Sequence, residues 1–333
     1  PVPYSNGDTV NYRVIAVNGA GTQSAESAPS DGLTLDFARP DSAVTTGGFY
    51  NAFSWPGFIY GTASDALSGV DFVDITLRDA GTGLYWDGDS WETAATWLRA
   101  TGDTNWQYLF TPTDGHTYDV QSRATDRAGN VEITFGYSSF TYASSGPQAP
   151  VVSSPTHPDQ GTWYNDDDPT FNWTEPTSGA GIQGYSYILD QIPGTTPDTI
   201  LDTSANSQSY TGIADGTWYF HVRAQDNADN WGPAGHYVVH IDTTPPPAPS
   251  EVTEDTPDVD WDADGNIVVY WDTVTDLSGV TYTLERNING VEWVEVDSGI
   301  VGTSYADFST NTCLLYTSPS PRDLSTSRMP SSA

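Results

Sequence analysis

The sequence predicts an all-β chain of tandem β-sandwiches, truncated at both ends. Two recurring markers and their spacing predict it. The first is a five-residue signature: Asn18-Gly19-Ala20-Gly21-Thr22, Asp126-Arg127-Ala128-Gly129-Asn130 and Asp226-Asn227-Ala228-Asp229-Asn230. Copies stand about 100 residues apart, which is the size of one sandwich and too long for a solenoid repeat. The second marker is a Ser-Gly pair, at Ser68-Gly69, Ser178-Gly179 and Ser278-Gly279, with the same order and spacing. An array of similar modules argues for a structural or binding role over catalysis.

Each signature closes an alternating apolar run. The runs are Tyr12-x-Val14-x-Ala16-x-Asn18, Tyr118-x-Val120-x-Ser122-x-Ala124-x-Asp126 and Trp218-x-Phe220-x-Val222-x-Ala224-x-Asp226. Period two places these residues on one buried face and sends Arg13, Arg123 and Arg223 to the other. Asn6-Gly7, Asp114-Gly115 and Asp215-Gly216 precede the runs. Such pairs tolerate positive φ and suit tight reversals. Phe171-x-Trp173 and Val269-x-Trp271 close strands ahead of two Ser-Gly pairs. Tyr185-x-Tyr187-x-Leu189 and Tyr282-x-Leu284 open strands after them.

These residues resemble fibronectin type III and bacterial Ig-like sandwiches. The Tyr12 to Asn18 run is similar to strand F of the type III family. Trp173 and Trp271 match its buried strand-B tryptophan. Residues 35–146 depart from that pattern. Gly61 stands where the tryptophan would be, and Tyr85-Trp86-Asp87-Gly88 through Trp106-x-Tyr108 reads as a longer central hairpin. That segment is more similar to the Ig-like repeats of large secreted bacterial proteins. The resemblance covers nearly all of residues 1–311; it is specific for fold and weak for function, because sandwiches host many unrelated roles.

The expected modules are the end of a type III-like module at 1–34, an Ig-like sandwich at 35–146, a further sandwich at 147–245 and the start of a type III-like module at 246–311. Thr243-Thr244-Pro245-Pro246-Pro247-Ala248-Pro249 reads as a semi-rigid polyproline spacer. Residues 312–333 read differently. Cys313 through Asp323, and Ser327 through Ala333, resemble a translated sequencing adapter and flow-cell primer. The only Cys and the only Met of the chain, Cys313 and Met329, lie there. This tail reads as a disordered, adapter-derived stretch.

The chain carries 44 acidic and 10 basic residues, a formal charge of −34. It contains no Lys. Such a surface repels nucleic acid and anionic membranes. No apolar run of about 18 residues exists, the length a spanning helix needs. With no Cys before Cys313 there is no structural disulfide, and with no Lys there is no Lys–Asn isopeptide link. Each module must stand on its core alone.

Candidate chemistry is sparse. Asp226, Asp229 and Asn230 offer several oxygens in one loop and are the candidate calcium ligands; Asp166-Asp167-Asp168 form another acidic cluster. Side-chain capping of the same turn explains Asp226 and Asn230 without an ion. Asp260-x-Asp262-x-Asp264-Gly265 begins like an EF-hand loop, but Trp271 occupies the twelfth position, and an acidic hairpin turn explains it better. Trp86, Trp91, Trp97 and Trp106 suggest either a sugar-stacking surface or cross-strand aromatic pairing. His236 and His240 share a strand face about 13 Å apart, and His221 on the preceding strand can approach one of them. No nucleophile elbow, zincin helix, phosphate loop or dinucleotide fingerprint is present.

The expectation is a non-catalytic structural or adhesive array, secreted or at the cell surface, acting as an extracellular stalk or spacer. It would be a monomeric rod with no required cofactor and no membrane insertion in this sequence. Its partners would be other surface proteins or glycans. The competing readings are spacer modules of a secreted glycanase or protease, and a carbohydrate-binding module at 35–146.

Overall fold

A computed structural model describes residues 3–254 and 266–308. Every regular element among them is a β-strand. The described residues fall into two compact units. The first runs through Pro155 and adds Thr170–Gln208 and Tyr219–Val238; the second gathers Thr156–Pro169, Ser209–Trp218 and the described residues from Val239 onward. The adapter-like tail and the EF-hand-like turn lie outside the described residues.

Residues 41–142 form two sheets. One orders its strands Asn105–Leu109, Phe58–Ser64, Asp41–Val44. The other runs Gly48–Tyr50, Gly136–Tyr142, His116–Asp126, Val70–Asp79, Tyr85–Trp86, Trp91–Glu92, with Leu98–Arg99 also paired to Val70–Asp79. The predicted alternation holds here. Tyr118, Val120, Ser122 and Ala124 are each fully buried, and Asp126 is 1 % exposed. Tyr118, Val120 and Ala124 pack with Ile59, Val73, Ile75, Leu77, Trp106 and Phe140 in one core. Arg123 lies on the opposite face.

The expected long central hairpin is corrected. Tyr85–Trp86 turns directly back through Trp91–Glu92, with Trp86 opposite Trp91. The Trp106 strand instead crosses to the other sheet, where Trp106 faces Gly61. A Cβ on Gly61 would lie 2.0 Å from the Trp106 ring. The indole thus fills the core from the partner strand, where the type III pattern places its tryptophan on the Gly61 strand itself.

In the later segment Phe171 stacks on Phe220 at 4.4 Å and 4°. Trp173, 4 % exposed, meets Tyr185 edge-on at 5.4 Å. Strand Ile182–Asp190 pairs antiparallel with Gly216–Asp226, bulging between Ile182 and Gly184. Phe220, Val222, Ala224 and Asp226 are buried as the alternation requires. His221, on the other face, is also fully buried. Trp271 is 9 % exposed and packs against Tyr282.

The first run is a second correction. Tyr12 and Val14 are 64 % and 71 % exposed. Residues 11–16 form no regular strand and are held by a serine-spaced segment: Tyr12, Val14 and Ala16 donate their N–H groups to the hydroxyls of Ser30, Ser27 and Ser24. No second sheet covers the apolar face among the described residues, so alternation there does not produce burial.

Candidate functional site

The three signatures fold into one turn. The first residue donates its N–H to the carbonyl of the fifth, over 3.0–3.1 Å in all three copies. The fourth residue returns its N–H to the carbonyl of the first. The fifth N–H bonds the first side chain: Thr22 to Asn18, Asn130 to Asp126 and Asn230 to Asp226, at 3.0, 2.7 and 2.9 Å. The fourth residue takes positive φ each time, as Gly21, Gly129 and Asp229. Asp tolerates that region better than most side chains, which lets the third copy dispense with glycine.

The fifth residue also reaches out of its turn. Asn130 Nδ2 donates to Asp36 O at 3.1 Å, and Asn230 Nδ2 donates to Ala143 O at 2.8 Å. Asp36 and Ala143 each lead into the segment that precedes the next sandwich core. The following residue is held from the other side. Phe37 N–H bonds Asn6 Oδ1, Ser144 N–H bonds Asp114 Oδ1 and Thr243 N–H bonds Asp215 Oδ1, at 2.6, 2.6 and 2.8 Å. Asn6, Asp114 and Asp215 are the residues of the three reversal turns. Sequence reasoning assigned them only to turns. Their similar spacing from residues 37, 144 and 243, at 31, 30 and 28 residues, was the available signal for a second role.

The hydroxyls of Ser145 and Thr244 add to this hold. Chiefly through the Ser145 hydroxyl, the Asp114 carboxyl sits below its ordinary pKa. The Thr244 hydroxyl does the same first for Asp215. At the 143 connection Gly115 and Gly179 approach closely: a Cβ on Gly179 would lie 2.4 Å from Gly115 Cα. Asn51 Nδ2 donates to Ala228 O at 2.7 Å, and Ala143, Ala180 and Ala228 pack together.

Of the calcium candidates, Asp226 is engaged within and beside its own turn. Both Asp226 oxygens accept from Asn230 Nδ2, Oδ1 also accepts the Ala228 N–H, and Oδ2 accepts the Ser178 hydroxyl. Asp229 is exposed at the tip. A different trio offers a denser set of oxygens. Asp36, Asp65 and Asp126 each place a carboxylate oxygen within 4.8 Å of the others. Asp65 Oδ1 accepts the Gly69 N–H at 2.8 Å, while its buried Oδ2 has no hydrogen-bond partner. Hydrogen bonding from Ser68 holds Asp36 below the ordinary carboxylate range. Three carboxylates so close repel one another, and a hard cation is the partner such oxygens suit. Asp166, Asp167 and Asp168 also cluster, largely at the surface.

The tryptophans serve several places. Trp106 is 1 % exposed and donates Nε1–H to Thr62 O at 3.1 Å. Trp91 stacks on Tyr118, and Trp86 tilts against Trp91 at 5.4 Å. Trp97 lies under the Arg123 guanidinium at 4.1 Å. Trp86, Trp91 and Tyr108 border an open groove of about 400 Å³ that also includes Thr111 and Thr113. The expected approach of two histidines occurs: His221 Nδ1 lies 2.6 Å from His236 Nδ1.

No family model matches this chain, and no curated protein matches it. Among solved structures it is similar to the fibronectin(III)-like modules of Clostridium thermocellum CbhA. That match has a TM-score of 0.28 and 11 % identity, covering 60 % of this chain and 93 % of that one. It is also similar to a structure from a 1.5-MDa bacterial ice-binding adhesin, studied for host cell surface retention. There the TM-score is 0.35 with 17 % identity, covering 80 % of this chain and 85 % of that one. The fold is all-β, made of tandem sandwich-type modules.

Proposed function

We propose that this chain is a non-catalytic spacer array of a secreted or surface-exposed bacterial protein. Its repeats, read as 1–34, 35–146, 147–245 and 246–311, hold other parts of that protein apart. One observation carries the reading: the segments joining successive repeats are bonded on both sides. Asp114 holds Ser144 while Asn230 holds Ala143. Asn6 and Asn130 do the same at Phe37 and Asp36. A flexible tether needs no such bonds, whereas a spacer that transmits position does. The adhesive side of the reading rests on the resemblance to Ig-like repeats of large surface proteins.

The test is a distance distribution between spin labels at Thr93 and Gln183, both exposed, in the full chain carrying Cys313→Ser. A narrow distribution is expected, broadened in the Asp114→Ala/Asn230→Ala double variant with the melting transition retained. A broad distribution in the unaltered chain defeats the spacer reading.

A further inference from the structure

The open groove beside Trp86 draws its walls from both sheets of residues 41–142. One wall is the hairpin of Tyr85–Trp86 and Trp91–Glu92, from the larger sheet. The other is the end of Asn105–Leu109, an edge strand of the smaller sheet, with the residues that follow it. Each wall is fixed from within. Asp87 closes the hairpin turn: its Oδ1 accepts the Asp89 and Ser90 N–H groups at 2.8 and 2.7 Å, and its own N–H bonds Ser90 O. Trp91 stacks on the buried Tyr118 at 5.9 Å, and Trp86 meets Phe110 edge-on at 6.2 Å. The aromatic walls are therefore set before a ligand arrives, which lowers the ordering cost of binding.

The groove's volume of about 400 Å³ is within the range of small-molecule sites. No charged side chain lines it, although the chain carries a formal charge of −34. Polar groups are nevertheless at hand. Among the described residues, the Trp86 and Trp91 indole N–H groups and the Tyr108 and Thr111 hydroxyls form no hydrogen bond with protein. All four residues reach the surface. Ligand hydroxyls can take the place of water at these groups. The rings add flat apolar surface with polar tips. A sugar ring matches both features, with C–H groups on its faces and hydroxyls at its rim. We propose that this groove binds a neutral saccharide, with Trp86 and Trp91 against the sugar rings and Tyr108 and Thr111 bonding its hydroxyls.

Charge and hydrogen-bond capacity select that ligand. Asp87 and Asp89 follow Trp86 in the turn, and the whole chain repels anions, so an acidic glycan is disfavoured. A cationic ligand finds no carboxylate in the lining. Proline-rich segments also dock in aromatic grooves. They present carbonyls, which only accept. The Tyr108 and Thr111 hydroxyls both donate and accept, as sugar hydroxyls do, so a saccharide uses the full capacity of the lining. Trp97 and Trp106 take no part: the first lies under Arg123, and the second is spent on Thr62 O in the core. Sugar binding here goes beyond the spacer reading and does not depend on how the repeats are joined.

Affinity electrophoresis of the full chain tests the site, in gels holding hydroxyethyl cellulose, glucomannan, arabinoxylan or dextran. Alginate gels and a free decaproline peptide are the contrasts. Retardation is expected with at least one neutral polysaccharide and not with alginate. Trp86→Ala should weaken the retarding interaction about tenfold or more, by loss of one stacking ring. Thr111→Val keeps the size of an exposed side chain and removes its hydroxyl. It should weaken binding about threefold or more with the melting transition retained. Free passage through all four neutral gels overturns the proposal, and so does retardation in alginate alone. Undiminished retardation of a folded Trp86→Ala also overturns it; where that variant does not fold, the same result in Thr111→Val does. A chain that takes decaproline and none of the polysaccharides carries a peptide site instead, which overturns it as well.

Discussion

The Trp106 indole lies directly over Gly61 on the paired strand and donates its N–H to Thr62 O at 3.1 Å. The glycine is the socket of the tryptophan. The smallest residue and the largest occupy opposing positions of one antiparallel pair, so a single core volume is filled from one side only. This inverts the arrangement expected from Trp173, where the tryptophan belongs to the strand of Phe171.

Gly61→Ala should therefore be severe although it adds one methyl group. The new Cβ would meet the indole at 2.0 Å and Ala43 O at 2.2 Å, so both ring and backbone must move. Overpacking of this kind costs about 1–3 kcal/mol and here belongs at the upper end. A denaturant melt of the full chain measures it. A loss under about 0.5 kcal/mol would mean that the strand pairing shifts freely.

Trp173→Ala should cost about 3–5 kcal/mol, the range for deleting a buried aromatic. The indole is 4 % exposed and contacts Tyr185, Tyr187 and Phe220. A loss below about 1 kcal/mol in urea unfolding would remove Trp173 from the core.

The buried runs at Tyr118 and Phe220 were legible because period-two alternation reports burial wherever a second layer covers the strand. At Tyr12 the same pattern was present and the cover was not. His221 failed in the opposite sense: alternation sent it outward, and a segment that meets it at Ile192, 29 residues upstream, covered it. The signature turns were legible from spacing alone, since Asn18, Asp126 and Asp226 each satisfy the same backbone donors. The acidic trio was not. Asp36, Asp65 and Asp126 come from three separate segments, and only folding brings their oxygens within 4.8 Å.

Gly179→Ala should loosen one connection without unfolding a sandwich. Its Cβ would lie 2.4 Å from Gly115 Cα, a contact that only separation of the two loops relieves. The φ of Gly179 is not in the left-handed region. Space alone then decides the outcome. The Thr93–Gln183 distance distribution should broaden or shift while the melting transition stays within about 1 kcal/mol of the unaltered chain. An unaltered distribution would show that the Gly115–Gly179 approach does not position the segments.

Asp65→Asn should raise the melting temperature by a few degrees in chelator at low salt. The amide keeps the Oδ1 acceptor for the Gly69 N–H and removes one of three neighbouring charges. Millimolar calcium should stabilise the unaltered chain in the same direction and do less for the variant. Differential scanning calorimetry with and without calcium separates these effects. A variant that melts lower in chelator would show that Asp65 is held by partners rather than strained by neighbours.

Acid should open the connections only in the carboxylate range. Asp114 and Asp215 are both depressed, by the Ser145 and Thr244 hydroxyls first. A depressed carboxyl means that the unfolded chain binds protons at higher pH than the folded one. The contribution is then complete above the ordinary carboxylate pKa, about 4, and is lost as pH falls through the lower folded value. Spin-label distances followed down the pH scale should hold through neutrality and broaden only below about pH 4. Asp114→Asn should remove the titration, since it takes away the ionised acceptor of the Ser145 hydroxyl. Broadening that begins near neutrality would mean that groups other than these aspartates govern the connection between repeats.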